Sequence, residues 1–241
     1  MKKHFAYTFT LIIVLLVFLT GCTLDNYDAP DSQLSGWLID SETSAPVPSQ
    51  TLNGGIIRLV QLDYSSEIAN PINSAIHSDG SYTNAWIFSG KYKVIAIGPF
   101  YYTDTLTVDV KGSTTLDIKV KPYLNVNATI GEITANSIKL TYTVRNNGNT
   151  QKIDRVGAVI GSTLGVDVNN YLGELPTSRI ITNTQSTPNG LINQLTYTAQ
   201  FKDLKANTEY YIRTIGRTNP TLNPSGYFNY SNVIKVTTAA E

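Results

Sequence analysis

Leu19-Thr20-Gly21-Cys22 is the stretch whose residue types and spacing specify a covalent reaction. Lys2 and Lys3 are followed by an uncharged apolar run from Leu11 to Leu19, and two small residues then precede Cys22. A basic start, an apolar segment and a small-residue cleavage site make a secretory signal, and the run is too short to cross a bilayer. A cysteine at that point presents a thiol that can carry a diacylglycerol, so the pattern is a lipobox. The sequence therefore predicts a signal peptide over residues 1–21 and a mature chain that begins at Cys22, attached to the membrane through its lipid. An ordinary signal peptide with a chance cysteine, or a signal anchor, is the alternative, but Cys22 is the single cysteine of the chain and stands where a lipobox needs it.

Other chemistry is scarce. With Cys22 acylated no thiol remains for disulfides, metal binding or nucleophilic attack. His4 leaves with the signal, so His77 is the one imidazole of the mature chain, and multi-histidine metal sites are excluded. A serine triad built on His77 would want a Gly-x-Ser-x-Gly elbow, which does not accompany it. A glycosidase needs two carboxyl groups facing each other across a sugar. Asp104 with Asp109 and Asp40 with Glu42 are candidate pairs, yet no motif fixes either across a cleft. Asp79-Gly80 lacks the spaced acids of a calcium loop and reads as a turn. We therefore expect no catalytic residue, no metal and no cofactor. Of 18 basic residues Lys2 and Lys3 are lost with the signal, leaving the mature chain two charges negative against 18 acids. No basic face invites nucleic acid.

Aromatic residues are the remaining candidates, because sugar rings present C–H faces that stack on them. Tyr227, Phe228 and Tyr230 lie in an expected loop after Pro220 and Pro224, flanked by Asn219, Asn223 and Asn229, and loops at sandwich ends are frequent ligand sites. Trp86 joins them as a candidate glycan-binding residue, with Trp37, Tyr101 and Tyr102 as further contributors, although tryptophan inside a strand more often packs than binds.

The elements that must position these residues are strands. From Leu34 onward short runs of β-branched and aromatic residues alternate with Gly, Pro, Asn, Asp and Ser clusters, and no window keeps a helical apolar stripe. Strands are expected over 35–40, 56–62, 81–88, 91–97, 105–110 and 114–120, then over 125–130, 137–145, 155–160, 195–201, 209–217 and 232–238. Residues 22–33 read as a polar tether. Lys121-Pro122-Tyr123 marks a boundary, because proline ends a ladder and a new alternation begins at once. The chain is thus all-β, with two consecutive sandwiches at 34–121 and 122–241; residues 161–193 hold an extra strand and irregular loops.

Gly36-Trp37-Leu38-Ile39-Asp40, Asp79-Gly80-Ser81-Tyr82, Gly90-Lys91-Tyr92 and Thr115-Leu116-Asp117-Ile118 resemble a transthyretin-like or carboxypeptidase-regulatory sandwich. Leu204-Lys205-Ala206-Asn207-Thr208-Glu209-Tyr210 resembles the tyrosine corner of fibronectin type III domains. Ala206 replaces the usual proline, and Tyr142 stands where that fold often has tryptophan. Across the mature chain, the Asp25-Asn26-Tyr27 start, these turns, Gly98-Pro99-Phe100 and Pro122-Tyr123 are similar to two-domain lipoproteins of unknown function encoded beside starch-utilisation-system-like transporters in Bacteroidetes. That resemblance implies a non-enzymatic, surface-exposed outer-membrane lipoprotein that binds an oligosaccharide within a polysaccharide-uptake transporter complex. The alternative is a spacer or adhesin-type module that binds protein and has no sugar site.

Overall fold

The computed structural model describes residues 28–63, 70–148, 152–219 and 226–241. Cys22 and the signal lie outside the described residues, as do Asn223 and Pro224. The first sandwich comprises β1 (Ser32–Asp40), β2 (Ile56–Gln61), β3 (Ile72–Ala75), β4 (Ser81–Ile87), β5 (Gly90–Ile97), β6 (Leu106–Val110), β7 (Ser113–Thr115) and β8 (Ile118–Val120). One sheet has the order β4-β1-β7, with β8 also pairing β1; the other has the order β3-β2-β5-β6. The period of two in β1 sends Leu34 and Leu38 inward, where they meet Ile57 and Leu59 of β2 and Tyr92 and Val94 of β5 in one core.

The expected strand over 114–120 is broken at Leu116-Asp117, and both halves run parallel to β1. Gly36 explains the break. A Cβ at Gly36 would lie 2.0 Å from the Leu116 carbonyl oxygen, so only glycine lets that carbonyl turn inward. The Tyr82 hydroxyl donates to it at 2.5 Å, and the Asp117 carboxylate accepts the Trp37 N–H at 3.0 Å in place of the lost ladder bond. The turn at Asp79-Gly80 is confirmed, with Gly80 at φ +92°.

The second sandwich comprises β9 (Leu124–Ile133), β10 (Ile138–Asn146), β11 (Ile153–Gly161), β12 (Arg179–Asn183), a helical turn α1 (Asn189–Ile192), β13 (Tyr197–Phe201), β14 (Glu209–Thr218), β15 (Phe228–Tyr230) and β16 (Ile234–Thr237). Its sheets have the orders β13-β10-β9 and β12-β11-β14-β15, with β16 also on β14. Leu140, Tyr142, Val144, Phe201 and Ile212 are among the side chains that fill the space between them. The tyrosine corner is present: the Tyr210 hydroxyl accepts the Lys205 N–H at 2.9 Å, and Ala206 does not prevent it. Tyr142 stacks on Tyr197 at 5.3 Å, filling part of the volume a tryptophan would occupy.

The outer face of the β11-β14-β15 sheet is not left to solvent. Val159, Ile215, Phe228 and Tyr230 form a further apolar cluster there with Val166 and Val168, and in the same row stands Arg213, fully buried. Its Nη1 donates to the Ser49 carbonyl at 2.7 Å and its Nη2 to the Ser78 carbonyl at 3.3 Å, both in the first sandwich, while Nε donates to Ser231 at 3.1 Å. The guanidinium lies 4.1 Å over the Tyr230 ring. Burial holds it down to about 10, well below the ordinary arginine value, with Tyr230 and Asp167 opposing the shift. It is therefore still charged at neutral pH. Gln50 donates to Asp167 at 3.2 Å and Asn229 to the Pro99 carbonyl at 2.9 Å, so further buried bonds cross the same junction. Residues 31–241 accordingly form one compact unit.

An Arg213→Ala variant would remove the guanidinium donors from the Ser49, Ser78 and Ser231 carbonyls and leave a void, at a cost of about 3 kcal/mol. Calorimetry should show one shared transition in the native chain and an earlier, split transition in the variant. A single unshifted transition in the variant would contradict the assignment of Arg213 as the link.

Candidate functional site

Burial reverses the expected division of labour among the aromatics. The stretch expected as an exposed tyrosine loop is strand β15, paired to β14 through Phe228 with Arg217 and Tyr230 with Ile215. Phe228 and Tyr230 are 7% and 4% exposed, and Tyr227 is half-buried. These two rings receive arginines: Arg213 over Tyr230, and Arg217 at 5.3 Å over Phe228. Arg217 also forms a bidentate pair with buried Asp154, Nε to Oδ1 at 3.1 Å and Nη2 to Oδ2 at 2.6 Å. Phe228 and Tyr230 are therefore corrected from sugar platform to interior packing. Tyr101 also packs, edge-on to Tyr123 at 5.0 Å.

Both tryptophans are outside. In β4 a continuous period of two would put Trp86 inward with Tyr82 and Asn84. The register with β1 slips between Asn84, opposite Leu34, and Ile87, opposite Ser32, so Ala85 and Trp86 share the place opposite Gln33. This β-bulge returns Ile87 to the core and re-aims Trp86 at solvent, 76% exposed. The Asn84 carboxamide caps the bulge by accepting the Trp86 N–H at 3.2 Å.

Trp37 projects from the same outer face of the β4-β1-β7 sheet, 39% exposed, with Ser81 as its partner across the ladder. Four positions along β1 separate the two tryptophans, about 13 Å at roughly 3.3 Å per residue. Between them the outward positions are Gln33, Ser35 and Thr83, joined by Ser113 and Thr115 of β7. Gln33 donates to the Ser113 hydroxyl at 2.9 Å. This stretch of the face is uncharged, with two large rings and a row of hydroxyl and amide groups between them. Such a surface can stack the apolar faces of sugar rings and exchange hydrogen bonds with their hydroxyls.

The other candidates fall apart in space. Tyr102, 84% exposed, sits in a separate groove with Asp104 and Asp117 at the β8 edge. Asp109 lines a different cleft with Asp31 and Asp63, so Asp104 and Asp109 do not face each other across one site. Asp40 spends its oxygens on the Glu42 N–H at 2.9 Å and the Thr43 hydroxyl at 3.0 Å, while Glu42 pairs with Lys121 at 2.5 Å. His77 Nδ1 lies 3.0 Å from the Ser81 hydroxyl, but that hydroxyl donates to Asp79 at 2.7 Å. A triad needs the carboxylate on the imidazole and the serine proton on its other nitrogen, so this is a capped turn. Burial pushes the Asp79 carboxyl up, but the Ser81 amide and hydroxyl outweigh it and leave it below its ordinary value. Among the described residues no group of three or more His, Cys, Asp or Glu could hold a metal ion.

Residues 32–121 match a family described as "Protein of unknown function (DUF3823) N-terminal domain". Among solved structures the chain is similar to a "putative carbohydrate binding protein" from Bacteroides uniformis, at 22% identity over 86% of this chain and 99% of that one, with TM-score 0.71. It is also similar to a DUF3823 family protein from the same species, at 19% identity over 87% and 100% of the two chains, with TM-score 0.73. A third, from Parabacteroides merdae, is 21% identical over 87% and 100%, with TM-score 0.67. At these identities the likeness establishes the shared two-sandwich fold. No curated protein matches this chain.

The burial difference between the two sets of rings is directly measurable. Trp86→Ala should change stability by no more than about 0.5 kcal/mol, whereas Tyr230→Ala should cost about 3–5 kcal/mol. Urea denaturation of both variants checks this, and equal losses would mean that Trp86 is part of a packed interior.

Proposed function

We propose that this protein is a non-enzymatic, surface-exposed lipoprotein of the outer membrane that captures a neutral oligosaccharide or polysaccharide chain on the outer face of its β4-β1-β7 sheet. The observation that carries the reading is the bulge at Ala85-Trp86, a backbone irregularity that holds Trp86 in solvent on the same outer face as Trp37, with only uncharged side chains between the two. A flat face with rings spaced along a strand suits an extended sugar chain, and catalytic groups are not needed for it. Stacking contributes only about 0.5 to 1.5 kcal/mol per ring by analogy with aromatic pairs, so affinity would be weak and gained by summing over several sugar units. The carbohydrate-binding description of the Bacteroides uniformis structure supports the same reading. The Cys22 lipid would hold this face at the membrane, beside the transporter complex that takes up the captured glycan.

The buried junction favours one second reading, a rigid spacer or adhesin-type protein-interaction module, since a locked pair of sandwiches transmits position well. Retention on insoluble polysaccharides, followed by calorimetry with soluble oligosaccharides, separates the two. On the glycan reading Trp37→Ala and Trp86→Ala each weaken binding about threefold to tenfold with unchanged melting temperature. A mature protein retained by no polysaccharide in the panel supports the spacer.

The anchor is checked independently. Mass spectrometry of the amino-terminal peptide from membranes should give a chain that starts at Cys22 and carries acyl groups. An uncleaved signal, or an unmodified Cys22, would remove the membrane assignment.

A further inference from the structure

A cleft of about 340 Å³ opens at the junction of the two sandwiches and shares no lining residue with the outer tryptophan face. One wall is the end of β1 and the loop after it, with Asp40 and Val47; the other is the start of β9 with Leu124, Asn125 and Asn127, closed by Asn229 of β15 and by Asn232. Neither sandwich alone contains it. Its volume lies at the small end of ligand pockets and matches a ligand of about one or two sugar rings.

The lining restricts the chemistry. It holds four carboxamides and no lysine or arginine, so an anionic ligand would find no counter-charge. Asp40 is its one charged group, and both its oxygens already accept bonds from Glu42 and Thr43. Each free carboxamide offers a donor and an acceptor side by side, the same pair that a sugar hydroxyl complements. Ala45, Pro46 and Pro48, which remain accessible, supply an apolar surface for the C–H side of a ring.

Asn229 adds a sharper signal. It is 3% exposed, and its Nδ2 donates across the junction to the Pro99 carbonyl, while its Oδ1, buried beside the cleft, accepts no hydrogen bond among the described residues. A buried acceptor left unpaired is costly. Oδ1 is itself closed to solvent, so a hydroxyl in the cleft supplies the missing donor once the Asn229 carboxamide shifts toward it.

We propose that the junction cleft is a second binding site, specific for one small neutral saccharide, and that its occupant bridges the two sandwiches. The site is independent of the tryptophan face: that face takes a chain, whereas this cleft takes one or two rings end-on. Because the cleft exists only when both sandwiches are docked, its ligand stabilises the docked state.

The test is a titration of the full mature chain with glucose, galactose, mannose, xylose, maltose and cellobiose, followed by NMR of the side-chain carboxamides and by thermal melting. At least one of these sugars should shift the Asn127 and Asn232 resonances with a millimolar or tighter Kd and raise the melting temperature. Asn127→Ala and Asn232→Ala, both at exposed positions, should weaken that binding about fivefold to tenfold without lowering the melting temperature of the free protein. Trp37→Ala and Trp86→Ala should leave it unchanged. If no sugar moves these resonances, the inference is overturned while the outer-face reading stands. Binding lost in the tryptophan variants and kept in the asparagine variants also overturns it, by assigning all sugar binding to the outer face.

Discussion

Arg213 is the constraint on which the rest of the structure depends. A guanidinium removed from water costs several kcal/mol even after relaxation, and here the charge is not met by a directly paired carboxylate. Two carbonyls of the first sandwich, one of the second, the face of Tyr230 and the nearby charge of Asp167 share the work of replacing water. Two of those acceptors belong to a loop and a turn some 130 to 165 residues away in sequence. Separating the sandwiches would break the Arg213 bonds to Ser49 and Ser78 together with the Gln50–Asp167 and Asn229–Pro99 bonds, so the arginine and its polar neighbours hold the docked state as a group.

That constraint decides what the carboxyl-terminal aromatics can be. Once Arg213 and Arg217 occupy outward positions on β14, the neighbouring rings of β15 become cation platforms. Phe228 and Tyr230 cannot also face sugar. The uncharged ring surface that sugar binding needs has to come from elsewhere, and the outer face of the first sandwich supplies it. There no second layer among the described residues covers the sheet, and the bulge in β4 gives up one regular ladder position to keep Trp86 outside.

The two surfaces suited to neutral sugars follow from different physics. The outer face is broad and flat because it is the back of a sheet, and it gains affinity by summing weak stacking along a chain. The junction cleft is concave because two convex bodies meet there, and it gains selectivity from oriented amides around a small volume. The stretch between the tryptophans carries no charged side chain, and the cleft holds one, Asp40, whose oxygens are taken by the Glu42 N–H and the Thr43 hydroxyl.

Much of the architecture was legible because alternation is a local signal. The period of two located most strands to within a few residues, the Asp79-Gly80 turn needed only glycine's freedom at positive φ, and the 204–210 stretch announced the tyrosine corner through residues close in sequence. Strands β3 and β15 were missed because they are short and pair with long neighbours that supply their stability. The break between β7 and β8 was missed because it depends on Gly36, some 80 residues earlier. Site residues were legible by type and illegible by orientation. Alternation from Tyr82 points Trp86 inward, and a one-residue bulge, whose only local trace is Asn84, reverses it. The sequence by itself determined the all-β class, the lipobox pattern, the poverty of catalytic groups and which side chains could touch a sugar. Which of those rings face water was decided only by the tertiary structure, because side-chain direction in a sheet flips with a single inserted residue and burial depends on what the far end of the chain brings against it.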